Sequence, residues 1–265
     1  MTEKPPFCRN DIPVSFSTLP KPQSPAYFTL LQGWLELCDT KHNCNPRHAR
    51  SQGSSPTRLI YLGHADPEVL CLRLPKENEA VKYTALSHRW GVHPPSKTDP
   101  RFCTTDDNVD ARLNGFTLSE LPKTFRDAVR VTRELEIDYL WIDSLCIIQW
   151  NSEDWKREAD RMEDVFASAY CTIAATSAAD SDAGFLARNT STEYIRVQDS
   201  AGNEVCVCTH MDDFKNDVEQ AELNKRAWVM QERILSRRTI HFSANQTYWE
   251  CGEGVYCENL TIMRR

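Results

Sequence analysis

Leu121, Phe125, Ala128, Thr132 and Leu135 recur at intervals of three and four, so LPKTFRDAVRVTRELEI reads as an amphipathic helix with Pro122 in its first turn. The next apolar run, DYLWIDSLCII, is broken only by one Asp. That pattern predicts a strand buried on both faces of a parallel sheet. Helical spacing returns in SEDWKREADRMEDVFASA, whose inner stripe is Trp155, Ala159, Met162, Phe166 and Ala169, and YCTIAAT reads as a further buried strand. Upstream, KYTALSHRWG holds a short apolar strand, Tyr83 to Ser87, ended by Trp90-Gly91. The order strand, helix, strand, helix, strand predicts an α/β core with a mainly parallel sheet flanked by helices.

The flanking segments follow other rhythms. Residues 1–25 carry Pro5, Pro6, Pro13, Pro20, Pro22 and Pro25 and read as an extended arm. A helix is expected from Ala26 to about Asp39, then a loop (NPRHARSQGSSP), then two strands, RLIYLG and VLCLRL, joined by HADPE. Residues 92–120 read as loop. EYIRVQDSAGNEVCVCTH interrupts the core rhythm and predicts an inserted β-hairpin at about 193–209. NKRAWVMQERILS reads as a helix, and TIHFS and QTYWEC as strands. The expected organisation is an N-terminal extension over 1–78 (arm, helix and hairpin), then the α/β core with its insertion over 79–265.

Composition narrows the class. The 265 residues are 40% hydrophobic and 26% charged, a globular balance, with net charge -7. An acidic chain is a poor general partner for nucleic acid, so none is expected. No apolar run is long enough to span a bilayer, and MTEKPPFCRNDIP has no signal-peptide core. The expectation is a cytoplasmic protein with no membrane partner, whose 11 cysteines are mostly buried free thiols.

Few local motifs carry chemistry by themselves. Trp228 and Glu232 stand four apart, which places a ring and a carboxylate on one helix face, with Ala227, Met230 and Ile234 as the expected buried side. Cys38, His42 and Cys44 could offer three zinc ligands, but the spacing fits no standard site and no fourth ligand is evident, so no metal is expected. Cys146 with His88 could suggest a thiol nucleophile, yet its buried strand favours an inert thiol. There is no Walker loop and no G-x-G-x-x-G, and only 9 glycines.

Three blocks together resemble the fungal heterokaryon-incompatibility (HET) domain: YTALSHRWG; LPKTFRDAVRVTRELEIDYLWIDSLCIIQ continuing through DWKREADRMEDVFASAYCTIAATSAADSDAGF; and RAWVMQERILSRRTIHFSANQTYWEC. They cover roughly 83–251. One departure is Ser87-His88-Arg89-Trp90-Gly91, where the family more often has Ser-Tyr-Cys-Trp-Gly. The resemblance implies a cell-death response to the fusion of genetically different fungal cells. It also implies a fold similar to the Toll/interleukin receptor (TIR) domain, a flavodoxin-like α/β unit, and some TIR domains hydrolyse NAD. Against TIR domains, Ser87-His88-Arg89 resembles the end of the first strand and Asp143 the end of the second. Trp228 and Glu232 match a Trp-x-x-x-Glu whose Glu is catalytic in active members.

The implied site is then Glu232 as the catalytic carboxylate, with Trp228, Ser87, His88, Arg89, Trp90 and Asp143 around the substrate NAD and no further cofactor. Arg89 is expected to face the pyrophosphate, or else to cap a strand end or pair with Asp143. Asp143 otherwise accepts loop N–H bonds, and Trp90-Gly91 forms a turn with a packed ring. The alternative is a non-enzymatic signalling module that acts by self-association or by recruiting a partner, such as an upstream receptor-type or incompatibility protein. Both readings imply a homo-oligomer on activation. A third is hydrolysis of another nucleotide or nucleic acid, which the acidic balance disfavours.

Overall fold

Ser24 starts the first helix, α1 (Pro25–Lys41), by accepting a hydrogen bond from the Tyr27 amide at 3.3 Å, with Pro25 in the first turn. The computed structural model describes residues 20–42, 44, 55–63, 66–76, 79–188, 194–198, 204–208, 213–225, 227–260 and 262–263. For 194–197, 204–208, 227, 228, 230 and 231 it describes backbone alone. Most of the proline-rich arm expected over 1–25 lies outside these residues. Tyr27, Phe28, Leu31, Trp34, Leu35 and Cys38 form the buried face of α1, the stripe a 3.6-residue period demands. Trp34 lies against Trp249 with ring centroids 6.5 Å apart.

Strands β1 (Leu59–Tyr61) and β2 (Val69–Arg73) form the expected antiparallel pair. The strand β3 (Tyr83–Ser87) is buried at every position. The segment expected as loop over 92–120 contains a short helix, α2 (Val109–Asn114), and a two-residue strand, β4 (Phe116–Thr117). Elements of one turn or two residues are too short to show a period. The predicted amphipathic helix is α3 (Lys123–Glu134), with Phe125, Ala128 and Thr132 fully buried.

The long apolar run divides. Strand β5 stops at Tyr139–Trp141, and a single turn, α4 (Asp143–Cys146), follows. The amides of Leu145 and Cys146 bond back to the Ile142 carbonyl at 3.1 and 2.7 Å. A fully buried turn and a fully buried strand have the same apolar content, so periodicity could not separate them. The expected single helix over 152–169 is two, α5 (Ser152–Ala159) and α6 (Met162–Ser168). Arg161 marks the break: its guanidinium reaches Thr57 Oγ1 at 2.9 Å and the Ser55 carbonyl at 2.7 Å. Trp155 is not in an inner stripe but 58% exposed, because α5 turns Asp154 and Glu158 inward onto the buried Arg58.

Strand β6 (Cys171–Ala174) follows, then β7 (Tyr194–Gln198) and β8 (Glu204–Cys208), which pair antiparallel as a separate two-stranded sheet where the insertion was expected. Helix α7 (Ala227–Leu235) leads into β9 (Arg238–Phe242), β10 (Thr247–Cys251), β11 (Gly254–Cys257) and β12 (Ile262–Met263).

The main sheet has the order β12-β11-β10-β9-β6-β3-β5-β1-β2-β4. The four central strands β9-β6-β3-β5 are mutually parallel, and the pairings outside them are antiparallel. The α/β class therefore holds, while the mainly parallel character expected of the sheet is confined to its four central strands. Hairpins build the two wings, and a short turn can join only antiparallel strands. Strand β1 pairs with β5 in the same sheet, and the buried face of α1 packs into the same core as Phe125, Leu140 and Ile173. Each fully buried Leu, Ile or Phe of this core contributes about 1.5–3 kcal/mol.

Candidate functional site

The C-terminal ends of parallel strands in an open α/β sheet are where ligands bind. Here Ser87 ends β3, and the one-turn helix α4 begins at Asp143 just beyond β5. Register holds Ser87 firmly: β3 pairs with β6 as far as Ala174, and the Ser87 carbonyl accepts the Ala175 amide at 2.9 Å. Its hydroxyl is thereby aimed at α7, where it donates to Glu232 Oε2 at 2.5 Å.

The orientation of α7 departs from expectation. Ile234, assigned to the buried side, is 71% exposed, while Val229 is buried. The side chains of Ala227 and Met230 lie outside the described residues. An ion pair sets the face: Arg233, one turn after Val229, binds Glu250 of β10 through Nε at 2.8 Å and Nη2 at 3.0 Å. His241 Nε2 lies 2.8 Å from the same carboxylate. Such a forked pair fixes direction as well as distance. Pinning Arg233 to the sheet leaves its neighbour Glu232 at the end of β3. Trp228 lies one turn earlier on α7, and its side chain is outside the described part of the structure.

Beyond Ser87 the chain turns sharply. Gly91 has φ +93°, and a Cβ there would stand 2.6 Å from the Asp180 Cβ, so only glycine fits. The turn brings the Trp90 indole to Asp143, with Nε1 donating to Oδ2 at 2.9 Å. Asp143 Oδ1 accepts the Ser144 amide at 2.6 Å and lies 4.0 Å from His88 Nδ1. The His88 ring packs edge-on against Phe125, centroids 4.9 Å apart. Asp143 thus accepts N–H bonds as expected, one of them from an indole. A Gly91→Ala change is expected to cost about 1–3 kcal/mol and to release Trp90 from Asp143. Thermal unfolding and indole fluorescence would report the two effects, and an unchanged melt would show that the turn adapts.

His88, Trp90, Asp143 and Glu232 line a cavity of about 650 Å³, within the range of small-molecule sites. His88 and Trp90 form one wall with Trp141 and Asp143; Glu232, Ile234 and Leu235 of α7 form another. The third comes from the broken helix pair, with Trp155, Asp160, Met162 and Glu163. Asp160 and Glu163 were not foreseen as lining residues, because the break between α5 and α6 is what turns them toward the space. Four carboxylates (Asp143, Asp160, Glu163 and Glu232) and no Lys or Arg line it among the described residues.

Arg89 is not in this cavity. It lines an adjoining depression with Trp90, Gly91 and Pro94, and Trp90 is common to both. The Asp143 carboxylate is held by Trp90 rather than by an arginine. Cys146 is buried in α4, not in a strand, and desolvation pushes its thiol up to about 12, which suits an inert core group.

No helix among the described residues is long and apolar enough to cross a membrane. Neither a curated protein nor a solved structure shows a significant match to the chain. Residues 83–232, from the start of β3 to Glu232 itself, match the family described as Heterokaryon incompatibility protein (HET). With that match spanning more than half its length, the chain belongs to the heterokaryon-incompatibility family and carries its role in incompatibility and cell death.

Proposed function

We propose that this HET domain cleaves the nicotinamide–ribose bond of NAD, as some TIR domains do, with Glu232 as the catalytic carboxylate. The observation that carries the reading is the hydrogen bond from Ser87, at the end of the central parallel strand β3, to Glu232, whose side chain lines a cavity of about 650 Å³. Nicotinamide leaves NAD as a neutral molecule from a cationic precursor, so no general acid is required. The barrier lies in the positive charge that develops on the ribose, as in glycoside hydrolysis. A carboxylate fixed beforehand stabilises that charge without reorganising. Ser87 orients it. Water then adds to the ribosyl cation, and ADP-ribose and one proton are the other products.

The charge distribution supports a split pose. The acidic cavity favours the cationic nicotinamide end, and the ring of Trp90 can carry the ligand across to the depression lined by Arg89, where the pyrophosphate would meet a guanidinium. Arg89 keeps its expected partner in this reading, but outside the main cavity. His88 and Asp143 shape the inner wall, and Trp228 would bear on the ribose or base. The protein acts in the cytoplasm, and assembly completes its site. The experiment is nicotinamide release from NAD by purified protein. The rate per subunit is expected to rise several-fold when the chain is crowded or tethered; a flat dependence would remove assembly, and no release even from assembled protein would remove the activity.

One observation favours a second reading. Trp155 and Ile234, both largely exposed, stand at the cavity wall, and exposed apolar pairs of this kind suit contact with another chain. A signalling module that kills through such contacts would lose toxicity in Trp155→Ser or Ile234→Asp while Glu232→Gln remained lethal. The opposite pattern would sink it.

A further inference from the structure

We propose that Cys38, His42, Cys44 and Cys251 bind one zinc ion that fastens helix α1 to the β10–β11 hairpin. Their ligand atoms all lie within 4.8 Å of one another. Tetrahedral zinc with Zn–S bonds of about 2.3 Å places its sulfurs about 3.8 Å apart, so binding needs closure by an ångström or less. Cys38 is on the last turns of α1, His42 is its C-cap and Cys44 follows; Cys251 ends β10, 209 positions after His42. The three sulfurs are buried and the imidazole is half-exposed.

The surroundings are those of a built ligand set. His42 Nε2 lies 3.2 Å from the Tyr256 hydroxyl, while Nδ1 faces Cys251 Sγ at 3.5 Å. Donation of Nε2–H to Tyr256 would fix the tautomer and leave the Nδ1 lone pair for metal, the usual division of labour in a ligating histidine. Gly252 passes so close that a Cβ would stand 3.3 Å from Cys44 Sγ. Three thiols and one imidazole are soft and borderline ligands that select zinc over magnesium or calcium. Binding converts three thiols to thiolates and releases three protons, leaving the complex with one net negative charge. Affinity therefore falls as pH is lowered.

The chain purified under reducing conditions is expected to carry one zinc per molecule by elemental mass spectrometry. Replacing zinc with cobalt should give tetrahedral d–d bands and thiolate-to-cobalt charge transfer. Cys251→Ser and His42→Ala should lose or loosen the metal, whereas Cys71→Ser, on β2 outside the cluster, should keep it. Chelation should lower the melting temperature by on the order of 10 °C. The cobalt spectrum is read on the unaltered chain, so it tests the site even if a variant fails to fold. Folded, reduced protein without stoichiometric zinc and without cobalt charge transfer would overturn the proposal. A disulfide between any two of the three cysteines in the reduced-prepared chain would overturn it as well.

Discussion

Glu232→Gln is expected to slow nicotinamide release from NAD by about 10²–10³-fold, or about 2.7–4 kcal/mol of transition-state stabilisation, while leaving the fold intact. The substitution keeps the shape of the side chain and still offers Ser87 a carbonyl oxygen to replace the acceptor it meets at 2.5 Å. It removes the negative charge, which is the quantity the ribosyl cation requires. The loss should therefore fall on turnover more than on KM. Ser87→Ala, which keeps the charge and removes its orientation, should lose less, about ten-fold, the scale of one hydrogen bond. Chromatographic quantification of nicotinamide, beside circular-dichroism melts of each variant, makes the comparison. Equal rates for wild type and Glu232→Gln would sink the catalytic role, and retained lethality with no release would favour the contact-driven reading.

The legible parts of the fold were those with a period long enough to count. The stripe through Phe125, Ala128 and Thr132 announces α3, and the apolar blocks at Tyr83–Ser87 and Cys171–Ala174 are central strands, buried at every position. Ser87, Asp143 and Glu232 were legible as strand-end and helix residues, and the structure brings Ser87 and Glu232 into contact and places Asp143 in the same cavity. What was hidden depends on partners distant in sequence. The rotation of α7 follows from Arg233 binding Glu250 on another element, which no pattern within nine helical residues contains. The turn of Asp160 and Glu163 toward the cavity follows from Arg161 reaching back to Ser55 and Thr57. The fourth member of the cysteine–histidine cluster arrives only when β10 is laid beside α1. In the first two cases a side-chain bond between elements, and in the third the packing of distant elements, decides the geometry rather than local hydrophobic period.

The largest stability effect is expected at Glu258, which is fully buried and follows β11. Its carboxylate pairs with the buried Arg188 and accepts the Thr247 amide at 2.9 Å. Arg188 also donates to Thr247 Oγ1 at 3.2 Å, and its guanidinium lies 5.5 Å from the centre of the Tyr27 ring. The Tyr27 hydroxyl closes the group at 2.7 Å from the same Thr247 oxygen. One carboxylate thus ties α1, the segment before the inserted hairpin, and β10 together. Burial, and next the Glu258 charge, push the Tyr27 phenol upward, so its hydroxyl stays protonated. Glu258→Ala strands a buried guanidinium and a backbone amide at once. Breaking one side of such a pair costs about 3–5 kcal/mol, and at roughly 2–4 °C per kcal/mol for a chain of this size the melting temperature should fall by about 10 °C. The partner change separates charge from packing. If the stranded charge is the main cost, Glu258→Ala combined with Arg188→Met should be clearly more stable than Glu258→Ala alone, a coupling that a double-mutant cycle isolates. Additive losses would instead assign the effect to the Thr247 amide and to the space Glu258 fills, and a melt within a degree of wild type would show that water reaches Arg188 and replaces its partner.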